Sequence, residues 1–264
     1  MFSDARPGPL SRSDRRARAQ GSRQAALINR IRAALEKDIR INLHRFPIAL
    51  SFDGTDLVLA GNVEHIAAKK ITLELAAAID PTLRIVDRLK VTPSAIMGDR
   101  EIRDHVVKAL LAEPALKHCL ISSRLAKESV SHRQTIPEPI GTIVVEVSDG
   151  AVTLDGEVPS LSHKRLAGVL AWWVPGCRDV INSLEEVPPE QDNQDNDNEL
   201  TDAVRLALEK DPFINASKIR VRTKDWIVTL AGLVPNQIMK QMAERDAWSV
   251  LGVKEVVNRL QIKW

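Results

Sequence analysis

The same succession of hydrophobic patterns runs along the chain three times. Apolar residues at helical spacing come first, over residues 28–37, 102–111 and 200–210. In the last of these, Leu200, Val204, Leu206 and Leu208 form one stripe while Glu209 and Lys210 stay with solvent. An alternating run follows, clearest at Ile143-Val144-Val145-Glu146-Val147 and Ile219-Arg220-Val221-Arg222, and period-two alternation predicts a strand with one buried and one wet face. A second β-like run then ends at a glycine: Leu57-Val58-Leu59-Ala60-Gly61, Val152-Thr153-Leu154-Asp155-Gly156 and Val228-Thr229-Leu230-Ala231-Gly232. Between the two strands of copy two, Asp149-Gly150 is a hairpin signal, since glycine takes the positive φ of a primed turn. Copy one has Asp53-Gly54 there and copy three Lys224-Asp225. A further helical pattern leads into a last strand at 85–89, 180–184 and 256–260.

The register of these patterns is constant. From Gly61 to Leu89, Gly156 to Leu184 and Gly232 to Leu260 the separation is 28 residues each time. Val63, Val158 and Val234 recur two residues after the glycine, and copies two and three also share Trp172 with Trp248 and Gly176 with Gly252, where copy one has Pro81. A fixed period of this length marks one supersecondary unit used repeatedly. The predicted fold class is α+β: three tandem α-β-β-α-β modules, each a small sheet with two helices on one face. The modules are expected at 25–92, 98–187 and 198–264, the second with an inserted loop at about 122–141. Gly61, Gly156 and Gly232 should stand at second-strand ends, with Leu59, Leu154 and Leu230 buried, and mark a bulge or a close backbone approach to the following helix.

Charge narrows the possible partners. The 37 basic and 35 acidic side chains leave a net +2, so no global field draws nucleic acid and any electrostatic targeting must be local. Aromatic residues make up 3% with no Tyr, which argues against stacking platforms for single strands. Residues 1–24 hold six Arg together with Pro7 and Pro9 and are expected to form a disordered basic tail, either an arm for anionic lipid or nucleic acid or a solubilising segment. Residues 188–197 form an acidic linker, and its run from Asp192 to Asp197 lacks the glycine that the sixth position of an EF-hand loop requires. No 18-residue window is free of charge, so no transmembrane segment is expected, and no apolar run precedes Ala25 as a secretory leader would need. A cytoplasmic protein is the expectation, with the periplasm as the alternative.

No nucleotide-binding, nucleophile-elbow or zinc-protease motif occurs, and the six His fall at unrelated places in the three copies. The expectation is a protein without catalytic, cofactor-binding or metal-binding residues, in which Cys119 and Cys177 are small core residues. Trp172 and Trp248 are expected to anchor helix to sheet, leaving the neighbouring Trp173 as a candidate exposed contact. The candidate binding surface lies on the first strand of the third module, where Lys218, Arg220, Arg222 and Lys224 alternate with Ile219 and Val221 and should share one wet face, about 6.6 Å apart along the strand. The same charges also suit an edge strand guarded against aggregation.

These residues resemble the BON family: Asp149-Gly150, Val152-Thr153-Leu154, Gly156, Val158, Val174-Pro175-Gly176 and Val180-Ile181-Asn182 carry the pattern in copy two. The matched positions are packing and turn residues, so the resemblance transfers a fold and no catalytic group. It implies a bacterial osmotic-stress or transport-associated protein whose modules contact phospholipid membranes or partner proteins. Two functions follow. The first is a non-catalytic stress-related adaptor on anionic phospholipid surfaces or a partner protein. The second is a cytosolic ion sensor of the potassium type, or a small-ligand sensor, formed by the modules together.

Overall fold

The computed structural model describes residues 12–125, 128–132, 136, 138–187 and 197–263. The chain divides into two compact units, the first made of residues up to Asn62 with Thr72–Leu89, the second of Val63–Ile71 with the chain from Lys90 onward.

The first unit opens with α1 (Arg12–Lys37), a helix of 26 residues. The basic stretch expected to be disordered is therefore helical from Arg12, because Ala, Arg and Gln are strong helix formers and the prolines lie earlier, at Pro7 and Pro9. Residues 1–11 of that tail lie outside the described residues. Strands β1 (Ile48–Asp53) and β2 (Asp56–Val63) pair antiparallel, α2 (Ile66–Ile79) follows, and β3 (Ile85–Val91) completes a sheet of order β1-β2-β3. Ile31, Leu35, Leu57, Leu59 and Leu89 are buried.

The second unit contains two further copies of this plan. Helix α3 (Asp99–Ala112) and a one-turn 3-10 helix (Pro114–Leu116) lead into β4 (Cys119–Leu125), β5 (Glu128–Ser131), β6 (Gly141–Ser148), β7 (Ala151–Val158), α4 (Leu161–Trp172), β8 (Asp179–Asn182) and the short β9 (Glu185–Glu186). The insertion expected as a loop at 122–141 thus contributes two strands: β4 lies parallel to β6 and β5 antiparallel to β4, in the order β5-β4-β6-β7-β8. The alternation Cys119, Ile121, Ser123 explains this, because all three point inward and are buried. The acidic linker lies outside the described residues except for Asp197, where α5 (Asp197–Lys210) begins. A second 3-10 turn (Ala216–Lys218), β10 (Ile219–Lys224), β11 (Ile227–Val234), α6 (Gln237–Ser249) and β12 (Glu255–Ile262) complete the chain, with β10 and β11 antiparallel and β11 and β12 parallel.

One device closes the hairpins of copies two and three. Asp99, at the start of α3, accepts the backbone N–H groups of Asp149 and Gly150 at 2.9 and 2.8 Å. Asp197, the equivalent residue of α5, accepts those of Asp225 and Trp226 at 2.8 and 3.0 Å. Both turns are type I′, with positive φ at both central residues: 50° and 72° in copy two, 54° and 67° in copy three. The third turn is therefore Asp225-Trp226 and not the expected Lys224-Asp225. The Asp197 carboxylate holds an indole residue in the left-handed conformation that Gly150 occupies in copy two, while in copy one the turn is Gly54-Thr55, not the expected Asp53-Gly54, and only Gly54 has positive φ. In the first copy the equivalent Gln24 instead donates to Gly54 O at 2.9 Å.

The repeat glycines sit inside their strands, two residues before the ends, and not at the ends as expected. Each has positive φ, and an added Cβ would lie 2.7 Å from Pro47 O at Gly61, 2.3 Å from Thr142 O at Gly156 and 2.0 Å from Lys218 O at Gly232. The close approach is therefore to the partner strand, not to the following helix. Gly176 is closed in by Met97 and Ile102, and Gly252 takes φ +97° in the turn after α6. The second strand of each copy runs on into a helix whose N-cap differs in chemistry at one repeat position. His65 Nδ1, Ser160 Oγ and Asn236 Oδ1 accept from the N–H three residues later.

Leu59, Leu154 and Leu230 are all completely buried. Leu154 packs among Val106, Ile121, Ile143 and Val158. Truncating Leu154 to Ala should cost about 2–5 kcal/mol in chemical denaturation. Gly232→Ala should destabilise as well, because Lys218 O occupies the space of the new methyl; an unchanged unfolding midpoint in either variant would contradict this packing.

Candidate functional site

Two features of the third module stand apart from the common plan. The first is charge on its sheet. Ile219 and Val221 are buried, and Arg220, Arg222 and Lys224 are exposed on the opposite face of β10, an edge strand. Lys218 is exposed too but belongs to the 3-10 turn before the strand. Register adds a cation that strand-by-strand reading missed: Arg220 pairs with Ala231, which pairs with Arg259 on β12, so two guanidinium side chains flank a methyl group. Adjacent strands lie about 4.8 Å apart, which places the two arginine Cα atoms about 10 Å from each other. Exposed Leu233 follows Ala231 on the same face. Among the described residues none of these cations forms an ion pair within the chain. The equivalent positions of copy two read differently, with Glu146 for Arg222, Asp155 for Ala231 and Glu157 for Leu233, all exposed.

The second feature is a cavity of about 450 Å³ within the second unit, walled in part by Trp172, Trp173, Phe213 and Met242. Trp173 is therefore a half-buried wall residue and not the exposed contact expected from its place beside Trp172. Trp248 is almost fully buried, as an anchor should be, and the C-terminal end of α6 that carries it is held by two cations. Lys70 Nζ donates to Trp248 O, Val250 O and Val253 O at 2.7, 3.1 and 3.3 Å, and Arg165 Nε donates to Leu251 O at 3.0 Å. Lys70 and Arg165 stand at the same repeat position, nine residues after the glycine. Cations at a helix C-terminus meet carbonyls that lack helical partners.

At the cavity wall Asp246 and Asp211 are both buried. Asp211 Oδ1 accepts the Phe213 N–H at 2.8 Å, capping the turn after α5. Burial pushes the Asp246 carboxyl up to about 8, helped by the negative charge of Asp211 and by a hydrogen bond with it, while the Trp173 indole and Arg245 pull the other way. Asp246 Oδ2 and Trp173 Nε1 are sealed from solvent, and neither has a partner in hydrogen-bond geometry. A protonated Asp246 gains a donor for Asp211, which adds to the preference for the neutral acid that burial creates. The sequence did hold the signal: Asp246 aligns with Leu75 and Leu170, so a carboxyl replaces a leucine of the repeat. Cys177, on the same wall, donates to Asp179 O at 3.3 Å, and burial pushes its thiol up to about 12, leaving an unreactive side chain. Cys119 is buried in the core of copy two.

A helix clasped to a type I′ hairpin, a glycine-tightened strand pair and a capped second helix leading to a parallel strand define a tandem α+β repeat protein. The BON domain model matches residues 121–188 and 196–263, just over half of the chain, and the chain belongs to the BON domain family. The first copy lies outside the matched residues, and its place in the series rests on the equal spacing and on the order of its elements. Osmotically-inducible protein Y of Escherichia coli (strain K12) is 30% identical over 124 residues, which are 46% of this chain and 62% of that protein. This chain therefore spans less than two thirds of that relative's length. Two solved structures of CdsD, a structural protein of the Type III secretion system of Chlamydia trachomatis, one of them of its C-terminal domain, cover 90% of this chain at 15% identity, with TM-scores of 0.23. Superposition that poor carries no argument about function. No helix among the described residues is long and apolar enough to cross a membrane.

The raised carboxyl makes a pH prediction. Asp246 binds its proton more tightly in the fold than in the unfolded chain, so stability is highest with the acid protonated and falls as pH rises toward about 8. Below pH about 6.5 the lowered His65 and His163, both disfavoured as cations by burial, act in the opposite sense. Between pH 6.5 and 8 the melting temperature of the parent should therefore fall, and Asp246→Asn should flatten that slope. Parallel slopes in the two proteins would show that Asp246 ionises freely.

Proposed function

We propose that this chain is a non-catalytic, stress-related adaptor of the cytoplasm whose third module contacts an anionic phospholipid surface through the wet face of its sheet. The observation that carries the reading is the group Lys218, Arg220, Arg222, Lys224 and Arg259: five exposed cations without ion-pair partners among the described residues, with Leu233 among them. Each cation near an anionic leaflet is worth on the order of 1 kcal/mol, so five of them supply reversible, salt-sensitive attachment. Support for the stress role comes from family membership and from the osmotically inducible relative. Because copy two presents acidic residues at the equivalent positions, the reading assigns surface contact to one module and leaves the others free for scaffolding.

Arg220→Glu with Arg222→Glu should leave the melting temperature unchanged, since both side chains are exposed. Flotation with phosphatidylglycerol liposomes at low salt should show at least about tenfold weaker association of the double variant, and neutral liposomes should bind neither protein. Equal flotation of parent and variant on the anionic liposomes would sink the reading.

A further inference from the structure

The cavity beside Asp246 is independent of the cationic sheet face. We propose that it is a binding site for a small organic ammonium ion, whose charged head meets the Asp211 and Asp246 carboxyls and whose apolar body lies against Trp172, Trp173, Phe213 and Met242.

Three observations lead there. The first is a missing cation. The acid ending the first helix of each module caps the N–H two residues on: Asp38 accepts from Arg40, Glu113 from Ala115 and Asp211 from Phe213, at 3.0, 3.0 and 2.8 Å. In two copies that acid is also neutralised, Asp38 by the Arg40 guanidinium at 2.6 Å and Glu113 by Lys210 Nζ at 2.9 Å. Asp211 instead faces another carboxyl. The second is a buried polar residue that the fold does not need. Asp246 is 7% exposed and stands where both other copies have leucine, and its Oδ2 lacks a partner. A buried carboxyl oxygen without a partner costs free energy that a leucine at the same place would not, so packing alone gives no reason for it. The third is the shape and chemistry of the walls. A volume of about 450 Å³ is far larger than a bare metal ion and falls in the range of small-molecule sites. Aromatic faces and a thioether favour an alkylammonium over a hydrated ion, because indole faces attract cations that shed water easily.

The charged groups around the pair set the pH behaviour. Asp211 follows α5, Trp173 follows α4, Arg245 lies on α6 at the cavity wall, and Glu64 with His65 line it from the segment before α2. An ammonium head takes the place of the shared proton, so below pH about 8 each binding event releases one proton to solvent. Affinity should accordingly rise by about tenfold or more between pH 6.5 and 8.5.

Titration calorimetry of the full chain with n-butylammonium chloride tests this, in buffers of different ionisation enthalpy and beside potassium chloride and n-butanol at equal concentration. The expected result is saturable binding of n-butylammonium with proton release at pH 7, and at least tenfold weaker response to potassium and to butanol. Asp246→Leu, which restores the repeat's own residue and should fold at least as well as the parent, is expected to abolish the n-butylammonium signal, and Asp211→Asn to weaken it at least tenfold. Absence of n-butylammonium binding to the folded parent overturns the proposal. So does equal response to butanol, which makes the cavity merely apolar, equal response to potassium, which makes the site inorganic, or undiminished binding by folded Asp246→Leu.

Discussion

The closest constraint in the structure is the crossing of the two hairpin strands in each module, where the first strand's incoming carbonyl leaves no room for a Cβ on the second. Gly61, Gly156 and Gly232 occupy that crossing at φ between 116° and 140°. A strand pair pinned there cannot slip, because a one-residue slip would put a side chain against Pro47 O, Thr142 O or Lys218 O and turn every inward leucine outward. The carboxylates of Asp99 and Asp197 fix the other end of the hairpin by holding both turn N–H groups, so in those two modules the register is set at both ends.

Everything on the wet face inherits that register. In the third module it brings Arg220 level with Ala231 and Arg259, and so converts one strand's alternation into a two-dimensional patch. In the second module the same register carries Glu146, Asp155 and Glu157 to the equivalent surface, while the extra strands β4 and β5 cover the edge that β10 leaves open in the third. One fold thus presents surfaces of opposite charge, because the packing constraints act on the inward positions and leave the outward ones free to vary.

The third module also departs from the plan internally. Its helix α6 carries Asp246 in a leucine position, and its C-terminal carbonyls are held by Lys70 and Arg165. The buried acid is tolerated because protonation matches it to Asp211, and a network of this kind in low dielectric is sensitive to the loss of any member. Cationic face and buried carboxyl pair lie in the same module.

The sequence by itself determined the class, the repeat and the inward leucines, because periods of two and 3.6 and a constant 28-residue spacing are properties of local chemistry. It also determined that Ile219 and Val221 face in while Arg220 and Arg222 face out, since alternation in a strand needs no partner. Long-range pairing was decided only by the tertiary structure. The strand character of residues 119–125 depends on a parallel neighbour at 141–148, the place of Arg259 depends on which strand stands beside β11, and the burial of Trp173 depends on a wall supplied by Phe213 and Met242. The turn at Asp225-Trp226 belongs with these, because nothing in the local residues favours a left-handed tryptophan, and the Asp197 carboxylate that holds it lies 29 residues earlier in the chain.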